Sequence, residues 1–528
     1  MQQIQILDCT LRDGGYCNQW EFGNRNILKI AEGLRDAEID IVECGFLTDK
    51  ALWNPDSSRY NSLEQAAAML PEKRTDTMYV CMMNYGEYDI GQLQDFDGAS
   101  IDGIRVAFHK KNAESAIALC HTLKEKGYKV FVQPMVSLGY TDAEFLKLIH
   151  DCNQLKPYAF YIVDSFGVMK RKELMRLFYI VEHSMTPSIR IGYHSHNNMQ
   201  LAYANAQALV DMRTNRDLII DCSILGMGRG AGNLNTELFI EHMNDCIGKV
   251  YKIKPLLNII DEVLTPFYEK SYWGYSLPNY LSAKHNAHPN YAGYLQAKHT
   301  LTIDDMDEIF SLFEDEKKAE YDMAYIEQLY TQYLGRECMN DAHQKEFLEK
   351  IREKKILLIA SGRSVDEEKE KVLSIAERTD VVSIGINFEY LHHKTDYIFV
   401  SNLRRMRQLD KCDKSRTIVT SNIHTKQAYI TIDYKELLNN VSSVKDNAGL
   451  MLIKYFIGLG VKELYIAGMD GYSHDGGHNF AEQQLEFVSN HETLDAMNRG
   501  ISKMLHDYAS QIKISYVTKP RYLNFDQT

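Results

Sequence analysis

Two histidines one residue apart, His194 and His196, close an otherwise apolar run, RIGYHSH (190–196). On a strand, residues i and i+2 face the same side, so this run sets two imidazoles side by side. Such a pair is either a set of metal ligands or two hydrogen-bonded strand-end histidines. Asp13, just beyond the first apolar run, could supply an oxygen to the same ion. Two imidazoles and one carboxylate, with no thiolate, suit a divalent metal, Mn2+ or Mg2+ foremost and Co2+ or Zn2+ as well, with positions left open for substrate oxygens. Other apolar runs also carry polar groups at or near their ends: Asp8, Arg12, Glu43, Arg105, Gln133 and Asp164, with the glycine-rich stretch GMGRGAGN (226–233) after the last run. Charges inside a core are costly unless paired or coordinated, so this many of them asks for a shared explanation. Glu43 and Asp164 could orient ligands or neutralise Arg12 and Arg105, or be plain salt bridges of a protein interior.

The apolar runs, rich in β-branched and aromatic residues, fall at 4–8, 39–45, 77–83, 103–108, 129–135, 159–165, 190–196 and 218–224. Amphipathic stretches of helical length separate them, NRNILKIAEGLRDA (24–37) among them, so the pattern predicts strand–helix alternation. Eight such units in roughly 245 residues match a closed (β/α)8 TIM barrel, with a doubly wound open sheet as the competing layout. In a barrel, the polar groups above would share the carboxyl-terminal mouth, where such folds place their chemistry. The expected organisation is therefore a barrel over 1–250, a helical extension over 251–350 that closes the site and serves oligomerisation, and a Rossmann-like α/β domain over 351–528. In that last segment KILLIASGRSV (355–365) runs a strand into a G-x-S turn and a helix, whose first backbone amides could hold a phosphate. From those residues alone a simple strand-to-helix turn is the favoured reading.

The 528 residues are 45% apolar and 25% charged, a globular composition long enough for two or three domains. A net charge of −13 argues against a general nucleic-acid or anionic-membrane binder, while leaving room for a local basic pocket. Ten scattered cysteines without a CxxC pair read as reduced thiols of a cytoplasmic protein. The first residues show no signal peptide, and no apolar run is long enough to span a membrane.

Three motifs carry a family resemblance: LDCTLRDGGY (7–16), HSHNN (194–198) and GMGRGAGNLNTE (226–237). In order and across about residues 3–300, they resemble the signatures of the DRE-type TIM-barrel metallolyases, and most of all the 4-hydroxy-2-oxovalerate aldolase branch. The resemblance implies a lyase or aldolase that handles the enolate of a pyruvate-type 2-oxo acid. It implies metal ligation by Asp13, His194 and His196, with Asn233 as a fourth ligand or a loop cap. Arg12 would bond the ketone-derived oxygen, where a metal and a guanidinium stabilise the developing oxyanion. The aldolase branch carries a histidine base where this chain has Tyr16, and an unperturbed tyrosine, with a pKa of about 10, is a poor base near neutrality. Tyr16 would then position substrate, leaving His285, His288, Asp164 or a metal-bound hydroxide as candidates for the proton. The WGYS segment points to Tyr275 as a residue near substrate. The second substrate, an aldehyde or an acyl partner, stays open, and a Claisen-type acyl-CoA synthase is the alternative.

Farther on, SVKDNAGLMLIKYFIGLGVKELYIAGMDGYS (443–473) resembles the late segment of Cst-type bacterial sialyltransferases. That resemblance implies a nucleotide or nucleotide-sugar site at Gly362, Ser364, Asn387, Asn402, Asn447 and Gly468, and a link to polysaccharide biosynthesis. The histidine those transferases use is missing before the segment, where the chain reads IDYKELLNN. A domain that only grips a nucleotide-linked sugar fits this departure, with sugar transfer as the alternative. Homo-oligomer formation through the helices after the barrel is expected by analogy.

Overall fold

The chain is described by a computed structural model covering residues 3–73, 76–98, 101–212, 214–247, 250–298, 301–334, 341–409, 413–423, 425, 428–474, 479–481 and 491–522. It divides into two compact units, residues 1–297 with 310–322 and residues 298–309 with 323–528. The stretch 251–350, expected as one helical extension, is thus shared between them.

In the first unit eight strands run in sequence: β1 (Ile4–Asp8), β2 (Ile41–Leu47), β3 (Met78–Asn84), β4 (Gly103–Phe108), β5 (Lys129–Pro134), β6 (Ala159–Asp164), β7 (Arg190–Ser195) and β8 (Leu218–Cys222). Each pairs in parallel with its neighbours, and β1 closes the circle by pairing with both β8 (Ile4 beside Leu218) and β2 (Leu7 beside Ile41). The closed barrel is therefore found, and the open sheet is not. Strand residues are buried on both faces because the barrel interior takes one face and helices take the other. Asn24–Asp36 shows how the outer layer is built: Ile27, Ile30, Ala31 and Leu34 recur at helical spacing and are buried. The third crossover departs from the expected pattern. Among its described residues only a short 3-10 turn, Ile90–Gln92, stands where a helix was expected. The bulge in β2 between Glu43 and Phe46 shifts the register against β3 at the mouth.

After the barrel this unit adds the helices Lys254–Ile259, Thr265–Lys270, Leu277–Lys284 and Pro289–Gln296. Trp273 anchors their middle by donating from Nε1 to the Leu225 carbonyl (2.9 Å).

The second unit holds seven parallel strands: β9 (Lys355–Ile359), β10 (Val381–Ile386), β11 (Tyr397–Val400), β12 (Thr417–Thr420), β13 (Ile430–Ile432), β14 (Glu463–Ala467) and β15 (Lys513–Tyr516). Their order is β13-β12-β11-β10-β9-β14-β15. Strand order reverses between β9 and β14, the switch point of a doubly wound sheet, where the loops at the carboxyl ends diverge and leave a crevice. The described cysteines are all free, six of them buried, while Cys338 and Cys412 lie outside the described residues. Among the described residues no helix is long and apolar enough to cross a membrane.

Candidate metal centre

Asp13, His194 and His196 meet at the barrel mouth with ligand atoms within 4.8 Å of one another, all three residues buried. The two imidazoles come from β7 and its immediate extension, with rings 5.4 Å apart and nearly perpendicular. Asp13 is brought in by a tight turn after β1, in which the Cys9 carbonyl accepts from the amides of Arg12 (3.1 Å) and Asp13 (2.8 Å). Asn233 arrives from the glycine-rich loop, which is strapped to the end of β7 by the Asn197 amide donating to the Gly232 carbonyl (2.8 Å). Its Nδ2 donates to Asp13 Oδ2 (2.7 Å) and to the Met227 carbonyl (3.2 Å). Gly228 is required here, since a Cβ would drive into the Asn233 amide and the Asp13 carboxylate.

Beneath these groups lies a buried charge network. Arg12 pairs with Asp13 and, through Nε, with Glu43 Oε2 (2.8 Å). Arg105 reaches the same Glu43 oxygen (2.8 Å) and also pairs with Asp221. Turned so that its carbonyl faces the guanidinium, Gln133 accepts from Arg105 Nη2 (2.8 Å) and Nε (3.2 Å). Asp221 takes the Tyr161 hydroxyl (3.0 Å) and lies 3.0 Å from His194 Nδ1. With Nδ1–H given to this carboxylate, Nε2 of His194 is left as the lone-pair nitrogen, the usual device for orienting a ligand histidine.

These residues fit a divalent cation on three counts. Asp13 shares the Arg12 guanidinium with Glu43, so its direct partner neutralises it only in part. Burial pushes His196 down to about 3, so it is neutral and able to ligate. Burial opposes ionisation of Asp13, yet the Arg12 guanidinium, with Arg229 farther out, holds its carboxyl well below the usual range. Finally, His196 Nδ1 and Asn233 Oδ1 are buried without a hydrogen-bond partner. Unpaired buried polar atoms are rare, and here they flank the same carboxylate.

The other expected residues divide. Tyr16 stands at the mouth, 39% exposed, edge-on to Trp20 (4.7 Å) and under the Arg229 guanidinium (5.2 Å to the ring centre). Desolvation pushes its phenol above the ordinary value despite Arg229, which makes it a weaker base still. Asp164 ends β6 but turns its carboxylate to the amides of Val168 (2.9 Å) and Met169 (3.0 Å), binding its own loop. Burial raises it to about 6. His285 stacks on Phe310 (5.7 Å). His288 touches Arg229 (3.0 Å) and is pushed by burial down to about 2. Tyr275 is half-exposed, two residues beyond the anchored Trp273.

Two residues escaped the reading of the sequence. Asp221 is the sole acid of the apolar run LIIDC, and that isolation was its available signal. Arg229 is the only cation in GMGRGAGN, where the glycines drew attention to backbone shape.

In the second unit the six expected contacts all lie on loops or helix starts past the carboxyl ends of strands. The Ser364 amide donates to Asp470 Oδ2 (2.8 Å), and its hydroxyl binds the other oxygen of that carboxylate. Gly362 donates to the Gly468 carbonyl (2.9 Å), with Gly468 at φ +69°. Asn387 accepts from the Ser401 amide (3.2 Å), Asn402 from Arg404 (2.9 Å) and Asn447 from Leu450 (3.1 Å), the last two as helix caps.

Comparison with known proteins places this geometry among relatives. Residues 3–259 match the HMGL-like family model. The chain is 26% identical over 280 residues to a 4-hydroxy-2-oxovalerate aldolase of Geobacillus thermodenitrificans, covering 50% of this chain and 77% of that protein. It is 28% identical over 252 residues to 4-hydroxy-2-oxovalerate aldolase 2 of Rhodococcus jostii, covering 45% and 68%. Among solved structures, the N-terminal domain of a Bacteroides vulgatus protein is 27% identical, with a TM-score of 0.49 and coverage of 58% and 100%. The HMG-CoA lyase of Brucella melitensis is 15% identical, with a TM-score of 0.40 and coverage of 51% and 99%.

Proposed function

Residues 3–259 being an HMGL-like domain, we propose that this protein is a divalent-metal-dependent aldolase or lyase that makes or breaks a carbon–carbon bond through the enolate of a pyruvate-type 2-oxo acid. The observation that carries this reading is the buried Asp13–His194–His196 cluster beside Arg12, with unpartnered atoms on His196 and Asn233. A divalent ion held by Asp13, His194 and His196, with Asn233 at hand, supplies Lewis-acid polarisation of the ketone and carboxylate oxygens of the 2-oxo acid. Arg12 is fixed through Nε by Glu43 and through Nη1 by Asp13, and its buried Nη2 has no partner. That free donor is the group to meet the oxygen on which enolate charge develops, and being fixed beforehand it needs no reorganisation.

In the cleavage direction the bond between C3 and C4 breaks and its electron pair forms the enolate. The C4 hydroxyl proton passes to water at the partly exposed mouth as the aldehyde carbonyl forms, and C3 takes a proton back from water. Tyr16, held as a phenol, suits positioning that hydroxyl rather than removing its proton. Tyr275 and the Trp273 anchor would cover the substrate from the helices after the barrel. Asp164, its carboxylate engaged by two amides, serves this reading as the clamp of the loop after β6.

Methyl-proton exchange of pyruvate in D2O, followed by NMR, tests the reading. Exchange that requires Mn2+ or Mg2+ and vanishes in His194→Ala is the expected result. Exchange that persists in His194→Ala would refute it. Consumption of acyl-CoA with a 2-oxo acid, seen as released thiol, would favour the Claisen-type reaction on the same centre.

For the second unit the switch point between β9 and β14 supports a nucleotide-binding role, with a nucleotide sugar as the occupant and surface-polysaccharide synthesis as its setting. The phosphate would not sit on Ser364, whose donors Asp470 already takes. Calorimetric titration of the full chain with CMP checks this, and a flat titration would remove it.

A further inference from the structure

Arg229 stands at the mouth with no ion-pair partner among the described residues. Arg12 and Arg105 are each paired with acids, whereas Arg229 has the Tyr16 ring, the His288 ring and the Ser165 carbonyl (3.3 Å) around it. Its Nε is buried without a partner. The His288 ring, 3.0 Å from Nη1, brings no negative charge to offset the guanidinium. A half-buried cation with a buried donor left unpartnered is expensive unless something anionic arrives.

Its position indicates which part of a substrate would bring that anion. The metal ligands and Arg12 are buried at the base of the mouth, while Tyr16 and Arg229 lie outward of them, partly exposed. A 2-oxo acid head held at the base would extend its remaining carbons toward Tyr16 and the loop that carries Arg229. We propose that Arg229 is a specificity residue that binds a second anionic group, a carboxylate or a phosphate, on the far half of the substrate, so that the carbonyl partner of the reaction is an anionic aldehyde rather than a neutral one. The inference rests on the 2-oxo acid reading above. Arginine suits the task because its fork meets either oxyanion through two parallel hydrogen bonds.

Two ligands isolate the far group: 2-oxoglutarate and 2-oxopentanoate share one head and one chain length and differ in ending as carboxylate or methyl. Calorimetric titration of the Mn2+-loaded full-length protein gives the ratio of their dissociation constants without requiring turnover. The expected ratio favours 2-oxoglutarate by roughly tenfold to a hundredfold, the range of a charge-assisted pair. It falls toward one in Arg229→Gln and stays intermediate in Arg229→Lys, which keeps the charge and loses the fork. Should the glutamine variant fail to fold, the lysine variant reads the same ratio. A wild-type ratio near one, or a ratio unmoved by both substitutions, overturns the inference while 2-oxopentanoate binding leaves the 2-oxo acid reading standing. Binding of neither compound removes both. With the preference established, a parallel series of anionic aldehydes ending in carboxylate or in phosphate, offered with pyruvate, separates the two sources of the anion.

Discussion

The barrel mouth and the carboxyl edge of the second sheet carry comparable numbers of polar side chains, yet they treat them differently. At the mouth, buried atoms are left over: Arg12 Nη2, His196 Nδ1, Asn233 Oδ1 and Arg229 Nε. At the sheet edge Asp470 takes the Ser364 hydroxyl, and Oδ1 of Asn387, Asn402 and Asn447 each accepts from a nearby amide. Polar residues at the ends of strands therefore do not by themselves define a site. What separates a site from a well-capped loop is unsatisfied donor and acceptor capacity that only an incoming group can meet.

The comparison can be broken by substitution. The largest effect is expected from Asp13→Ala or His196→Ala. Losing several kcal/mol of Lewis-acid stabilisation lowers metal-dependent pyruvate exchange by about a thousandfold or more. Retained exchange would show that the leftover atoms at the mouth do not mark the centre. Next comes Asp221→Asn, which weakens the hold on His194. Metal affinity, measured by competition with a chelator, should drop about tenfold to a hundredfold.

A smaller effect concerns pH. Burial raises Asp164 to about 6 in the folded chain, above its ordinary value of 3.8. A raised carboxyl costs stability while it is ionised, and the cost is relieved as pH falls through 6 toward 4. Between pH 7 and pH 5 this group should contribute about 1 kcal/mol of added stability. The change in unfolding free energy over that interval should be smaller by this amount in Asp164→Asn; an identical change in both proteins would contradict the assignment. The smallest effect tests the sheet edge. As a helix cap, Asn447 should lose about 1 kcal/mol of stability on conversion to Ala, read by denaturant titration. Unchanged stability with weakened CMP binding would instead make Asn447 a ligand contact and narrow the difference between the two regions.

The eight barrel strands were legible because their signal is local. The runs at 4–8 and 103–108 are β1 and β4 residue for residue, and the others differ from their strands by at most two residues at an end. The third crossover breaks the general strand–helix alternation: Gly86, Gly91 and Gly98 with Asp89, Asp95 and Asp97 disfavour a helix, and the described residues between β3 and β4 form a single 3-10 turn. Asp13, His194 and His196 were legible because strand alternation and a turn after β1 are short-range facts, and the structure does bring them within 4.8 Å. For Ser364 the sequence showed a helix start after a strand but not the carboxylate of Asp470, which lies 106 residues away and binds its amide.

The sequence alone determined which residues can be strands, which faces they share and which chemistry the HSH run and Asp13 are able to support, because periodicity and donor type are properties of neighbours along the chain. Tertiary structure decided the rest. It joined Arg105 to Asp221 across 116 residues, set that same carboxylate against His194, and closed Asp470 over Ser364. It also set Arg229 against Tyr16 and His288, with no ion-pair partner among the described residues. Whether a buried charge is paired depends on what the closing barrel and the folded sheet bring within about 3 Å of it, and hydrogen-bond geometry is decided at that distance rather than by spacing along the chain.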